Sequence, residues 1–311
     1  MHSQHEYKLP SFTCSILDED GVLWLGSSNN GLWQLDGNTP FASPIPEYEG
    51  KQNFYSMTLD RQGHVWMGGR DALCEYDYNS WKFIGLNTYL GDSESANRLN
   101  RLVHGISINH RGHVLIGVED ETDKQSLLMR YNGESSVDFI KPFDASVVYE
   151  DLSAFIWMAN GAYRMEEGRL INKVLIPSGV IQCAIEDSRG DIWLGIDGEG
   201  VYKYDGHSFR HYCADHGFEN LRVTCLHEDD KGRIWMGTKT CKGELKKGIT
   251  YFEMGSFHHL QEAESCPVHA VNTIASDKRG NVWFAGDGGE LVRFNGRNFT
   301  VVNVLGHQST D

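Results

Sequence analysis

Tyr55 and His104 are the side chains of this 311-residue chain best placed to move a proton. Each falls at the same register of a recurring motif, eight residues before a turn glycine, Gly63 and Gly112. An imidazole beside a phenol can remove a proton next to a carbonyl and return one to a leaving oxygen, which is lyase chemistry. The same register elsewhere holds Thr13, Ser146, Gln182, Thr224 and Asn272, so every copy carries a hydrogen-bonding side chain. A second polar set follows the central strand of the repeats: Asn30, Arg70, Glu119, Asp197, Glu199, Lys239 and Asp287. His269 precedes the last inner strand. Together the sets describe a surface for a small polar ligand, a sugar or a peptide. On it Tyr55 and His104 are either catalysts or plain pocket lining. Glu119, Asp197, Glu199 and Asp287 could lend hard oxygen ligands to Mg²⁺ or Ca²⁺, but no spacing assigns a metal site.

Other chemistries find little support. There is no G-x-S-x-G elbow and no Cys–His signature for a nucleophile. His207 and His211 share a face of an outer strand, far from the polar sets. The Gly-rich stretches 195–200 and 286–289 open no helix and carry no phosphate-reading Lys. With 28 basic and 43 acidic residues the net charge is −15, so nucleic acid and anionic membrane surfaces are not expected partners. No apolar stretch approaches the roughly 20 residues of a spanning helix. The seven Cys include no C-x-x-C pair and suit reduced thiols. The expected location is the cytoplasm, or the periplasm if a leader has been removed.

The elements that must position these residues are repeats. Six of the eight Trp close one motif: Asp18 to Trp24, Asp60 to Trp66, Asp151 to Trp157, Asp187 to Trp193, Asp229 to Trp235 and Asp277 to Trp283. A seventh copy, Asn109 to Leu115, has lost its Trp. The Asp-x-x-Gly is a tight turn in which the side chain bonds backbone amides and the Gly takes positive φ. The six Asp are therefore turn caps and not a catalytic constellation. Each unit reads as four short strands, at steps of 36 to 49 residues. That describes an all-β chain, a seven-bladed β-propeller of four-stranded antiparallel blades forming one domain over residues 1–311. The expected blades are 12–48, 53–86, 102–141, 144–176, 180–213, 221–258 and 269–304. A solenoid would need capping repeats, and none is visible.

The Asp-x-x-Gly-x-(Val/Ile/Leu)-Trp-(Leu/Met/Phe)-Gly unit resembles the two-component regulator propeller repeat. More distantly the blades resemble those of virginiamycin B lyase and related propeller lyases. The first resemblance implies a sensor module, the second an enzyme. No kinase segment accompanies the repeats, which keeps a stand-alone enzyme open.

With strands A to D running outward from the axis, A–B and C–D turns share one face, and B–C loops and D–A connections the other. The added length falls on the second face, in the B–C loops of blades 3 and 6 and in residues 86–101 and 258–269. Loops on a rigid scaffold carry function, so the site is expected at that mouth of the channel. Three readings follow. One is a ligand-binding sensor or adaptor, signalling through a separate protein. The second is a lyase or isomerase at the same mouth, working with or without Mg²⁺. The third is a protein-interaction scaffold. The expected state is a monomer closed by contact of its terminal blades.

Overall fold

The Asp-x-x-Gly turn seeds five blades, with Asn109 for the Asp in blade 3 and Ala154 for the Gly in blade 4, and one carboxylate does three jobs in it. In blade 5, Asp187 Oδ1 accepts from the amides of Arg189 and Asp191, both at 3.0 Å, while Oδ2 accepts from Trp193 Nε1 at 2.8 Å. Gly190 closes the turn at φ +84°, a conformation open to Gly at no steric cost. The carboxylate–indole bond recurs from Asp18, Asp60, Asp151, Asp229 and Asp277, at 2.7 to 3.0 Å. Buried carboxylates are thereby hydrogen-bonded rather than orphaned. Blade 3 is the exception: Asn109 Oδ1 keeps the two amides, of Arg111 and His113, at 2.9 Å each. Its partner position is Leu115, which has no N–H to satisfy.

The computed structural model describes residues 10–36, 39–43, 53–86, 101–109, 111–120, 126–132, 137–140, 149–166, 169–218, 222–239, 249–260, 270–286 and 288–302. These form seven four-stranded antiparallel sheets, each in chain order. The A strands are Phe12–Leu17, Phe54–Leu59, Arg101–Ile108, Tyr149–Glu150, Ile181–Glu186, Val223–Glu228 and Val271–Ser276. The B strands are Leu23–Ser27, Val65–Gly69, Val114–Asp120, Ile156–Met158, Ile192–Ile196, Ile234–Thr238 and Val282–Gly286. Neighbouring A strands pack together around the ring, and Val271–Ser276 packs on Phe12–Leu17 to close it. Ser15 Oγ and Thr273 Oγ1, 2.6 Å apart, bond across that closure.

Seven apolar clusters fill the seven inter-blade spaces. Each motif Trp packs on the next blade, as Trp193 does on Val223, Ile234 and Met236. In blades 1, 2, 5 and 6 the Gly two residues after the Trp lets that next blade approach, and blades 4 and 7 carry Ala159 and Ala285 there. A Cβ on Gly195 would lie 2.5 Å from Cys183 Sγ and 2.8 Å from Val223 Cγ1. Cys14, Cys183 and Cys225 fill this niche in three blades, and burial raises their thiol pKa values, those of Cys14 and Cys225 to about 12. Such thiols are inert packing groups. The described part of the blade 4 A strand is Tyr149–Glu150. Trp81 opens a D strand, as its place outside the motif suggests, and stacks on Tyr76 at 4.4 Å. No helix among the described residues is long and apolar enough to cross a membrane.

Candidate functional site

The polar ring read from the sequence is a ring of β-bulges. In blades 1, 2, 5, 6 and 7 the A–B register slips at Thr13, Tyr55, Gln182, Thr224 and Asn272, and in blade 3 at His104. A bulge leaves one residue unpaired and re-aims its side chain. That is why each copy has a polar residue there. Ser146 of blade 4 lies outside the described residues.

The bulge residues meet two fates. In blades 1, 6 and 7 they tie the ring. Thr13 Oγ1 donates to the carbonyl of Phe54, Thr224 Oγ1 to that of Val271, and Asn272 Nδ2 to that of Phe12 at 2.8 Å. Each acceptor belongs to the next blade. Asn272, expected to contact ligand, is thus part of the ring closure. In blade 2 the tie to Val103 O comes instead from Ser56 Oγ, at 3.2 Å. Tyr55 turns to His104, and the two rings lie 5.7 Å apart at 48°.

Around that pair the blade 2–blade 3 junction gathers charge. His104 Nε2 stands 3.2 Å from Glu119 Oε2. Arg101 Nε lies 3.5 Å from Asp120 Oδ2. Arg70 bridges to Leu102 through its backbone. Asp71, at φ +61°, accepts from the Arg101 amide at 2.8 Å. Burial raises the Asp71 carboxyl above its ordinary value, against the lowering pull of that amide and of Arg70 and Arg101. The sequence reading brought in Tyr55, Arg70, His104 and Glu119. It missed Asp71 and Arg101, whose signal was their place immediately after a B strand and at the head of an A strand.

The remaining candidates are dispersed. Asp197 pairs loosely with Arg222 at 3.8 Å and bridges to it by backbone. Lys239 bridges to Ala270. Glu199 is drawn into its own blade, accepting from Ser178 Oγ, with Tyr202 Oη 3.4 Å away. Gln182 and Asn30 are exposed. His269 and Asp287 lie outside the described residues. Among the described residues Glu119, Asp197 and Glu199 build no cation cluster. The group of three His, Asp or Glu with the necessary closeness is Asp60, His64 and Glu75. There Asp60 Oδ2 already accepts from Trp66 Nε1 at 3.0 Å, and Lys82 stands 3.6 Å from Glu75. His64 holds the position four after the Asp that Arg233 and Asn281 hold in blades 6 and 7, where both bond the same carboxylate oxygen. It is a turn residue like them. His211 Nε2 meets the Glu199 carbonyl at 2.8 Å, apart from exposed His207.

Residues 217–240, the A and B strands of blade 6, match the family model of the two-component regulator propeller. No curated protein matches the sequence. Among solved structures a streptogramin B lyase superposes with TM-score 0.67 at 13% identity, over 95% of both chains. A catalytically inactive virginiamycin B lyase from Staphylococcus aureus with quinupristin gives TM-score 0.67 at 14% identity, over 93% of this chain and 96% of that one. The extracellular domain of BT4673, a hybrid two-component system from B. thetaiotaomicron, gives 0.61 at 13% identity. The match covers 97% of this chain and 38% of that one, so this chain spans well under half of its length. At such identities the likeness is one of fold. The chain is a seven-bladed β-propeller that carries a two-component regulator propeller repeat and shares its fold with propeller lyases and with sensor extracellular domains.

Proposed function

We propose that the B–C face of the ring binds a small polar molecule, a sugar or a peptide, at the blade 2–blade 3 junction, and that the propeller acts as a sensor or adaptor. One observation carries this reading. Three of the bulge side chains are tied to a neighbouring blade, whereas Tyr55 and His104 face each other beside Glu119. A half-exposed aromatic ring, an imidazole, paired carboxylates and two guanidinium groups suit a ligand rich in hydroxyls and amides. The test is a thermal-shift and ligand-observed NMR screen of sugars, amino acids and short peptides. Hits should lose binding in His104→Ala and Arg70→Ala. Hits that bind both variants as tightly as the parent would remove the junction from consideration.

A second reading rests on the His104–Glu119 geometry. A carboxylate at 3.2 Å orients an imidazole as a base, with Tyr55 adjacent as the acid. That is a stand-alone lyase or isomerase, and Mg²⁺ or Ca²⁺ could assist it through Glu119. The fold likeness to streptogramin B lyase names the first compound to try. Incubation with a streptogramin B, with and without Mg²⁺, should give a product of unchanged mass and an opened ring. No conversion, or equal conversion by His104→Ala, would retire this reading. The reduced thiols suit a cytoplasmic setting, and the extracellular neighbours suit the periplasmic alternative.

A further inference from the structure

Among the cavities bounded by described residues, two open on the A–B face, away from the junction above. They sit at equivalent places, one between blades 7 and 1 and one between blades 3 and 4. Their chemistry differs, and the difference follows from the one irregular repeat.

In the first cavity, of about 200 Å³, Lys278, Arg279 and Arg293 face Asp20 and Asp277. The guanidinium of Arg293 lies 5.8 Å from the ring centroid of Trp283, and Lys278 Nζ donates to the carbonyl of Glu19. Three cations face two acids, so charge in this cavity is nearly balanced.

The second cavity, of about 300 Å³, is lined by Arg111, Arg130 and Arg164, with Glu150 as its one acid. Arg130 stands opposite Leu115 in the sheet register, as Arg293 stands opposite Trp283. Where blade 7 sets Trp283 opposite its strand-C cation and carries Asp277 in the turn, blade 3 has Leu115 and the neutral Asn109 at those positions. Arg164 closes the far wall, held by a 2.9 Å bond to the Ser153 carbonyl and by the Phe155 ring at 4.8 Å. Three arginines thus converge in a chain of net charge −15, at the position where a motif carboxylate has been replaced by an amide. The volume lies at the small end of ligand pockets. Guanidinium forks match phosphoryl and carboxylate oxygens in pairs.

We propose that the cavity between blades 3 and 4 binds a compact dianionic group, phosphoryl or dicarboxylate, of a small molecule. The site is independent of the blade 2–blade 3 junction and lies on the other face of the ring. A small anion here would bridge the two blades through arginines from both. It would also sit at the interface with the shortest described A strand, Tyr149–Glu150.

The test is calorimetric titration of the full chain with inorganic phosphate and, in a parallel arm, with succinate, at constant ionic strength. Arg111→Gln, Arg130→Gln and Asn109→Asp are titrated alongside, each with its unfolding midpoint recorded. Saturable binding of either anion is expected, and the arm that binds more tightly identifies the group. Binding should weaken about tenfold or more in Arg130→Gln and in Asn109→Asp, which restores the repelling carboxylate. It should also weaken with added NaCl. Arg111 is exposed, so Arg111→Gln should fold normally and still lose affinity even if Arg130→Gln is unstable. Heats that do not saturate with either anion overturn the proposal. So does equal affinity for the parent chain and Arg111→Gln.

Discussion

His104 Nε2 lies 3.2 Å from Glu119 Oε2, and the two side chains are 30% and 29% exposed. A pair that exposed contributes at most about 1 kcal/mol to folding even when the imidazole is charged. Asn272, at the same register of blade 7, donates instead into the backbone of blade 1. His104→Ala and Glu119→Gln should therefore lower the urea unfolding free energy by less than about 1 kcal/mol. Asn272→Ala should cost about 1–2 kcal/mol, because a carbonyl at the ring closure loses its donor. Equal, large losses at His104 and Asn272 would mark His104 as a ring tie and not a ligand contact.

The propeller was legible in the sequence because the Asp and the Trp of each motif bond to each other. Neither residue can drift without leaving a buried polar atom unsatisfied. The polar ring was legible as a pattern but not as geometry. Thr13, Tyr55, His104 and Asn272 read alike in sequence, and only the bulge shows which of them reach a neighbouring carbonyl. Ser56 decides the matter for blade 2, since its hydroxyl makes the tie and leaves Tyr55 to face His104. The cavity between blades 3 and 4 was not legible. Asn109 and Leu115 read as a copy that has lost its Trp, and the arginines that surround the cavity come from three separate strands and turns.

Asn109 and Leu115 should be coupled. Leu115→Trp alone puts an indole N–H against a side chain whose acceptor already takes two amides. That buried donor should cost about 1–3 kcal/mol. Adding Asn109→Asp supplies the second oxygen found in the other six blades. A double-mutant cycle in urea should give a favourable coupling of about 1–3 kcal/mol. Additive effects would show that the carboxylate–indole bond does not link the two positions.

Gly195→Ala should destabilise strongly. The added Cβ meets half-buried Cys183 Sγ at 2.5 Å and fully buried Val223 Cγ1 at 2.8 Å. Neither can retreat without separating blades 5 and 6, so a loss of about 1–3 kcal/mol is expected from overpacking. Cys183→Ala on the same background should recover part of it by vacating the niche. If Gly195→Ala unfolds at the parent midpoint, the close approach of the two blades is not required for stability.

His227 should set the acid limb of the stability profile. It lies at the blade 6–blade 7 contact with Nε2 2.8 Å from Ser276 Oγ, and burial lowers its pKa from 6.5 to about 4, against a small opposite pull from Asp229. Between those values the unfolded chain binds a proton at this position and the folded chain does not. Stability is therefore complete above about pH 6.5, falls as the pH drops toward about 4, and then loses nothing further from this residue. The full effect is up to about 3 kcal/mol. Asp229 and Asp277 act in a lower window. Burial pushes their carboxyls up, but the Trp235, Arg233, Asn281 and Trp283 hydrogen bonds outweigh it and hold both below the ordinary range. Their contribution is present above the ordinary carboxylate pKa and is lost as the pH falls through the lowered one. Denaturant unfolding followed from pH 7 to pH 3 should thus show two steps. His227→Gln should flatten the upper step and leave the lower one. An unchanged upper slope in that variant would assign the limb to another group.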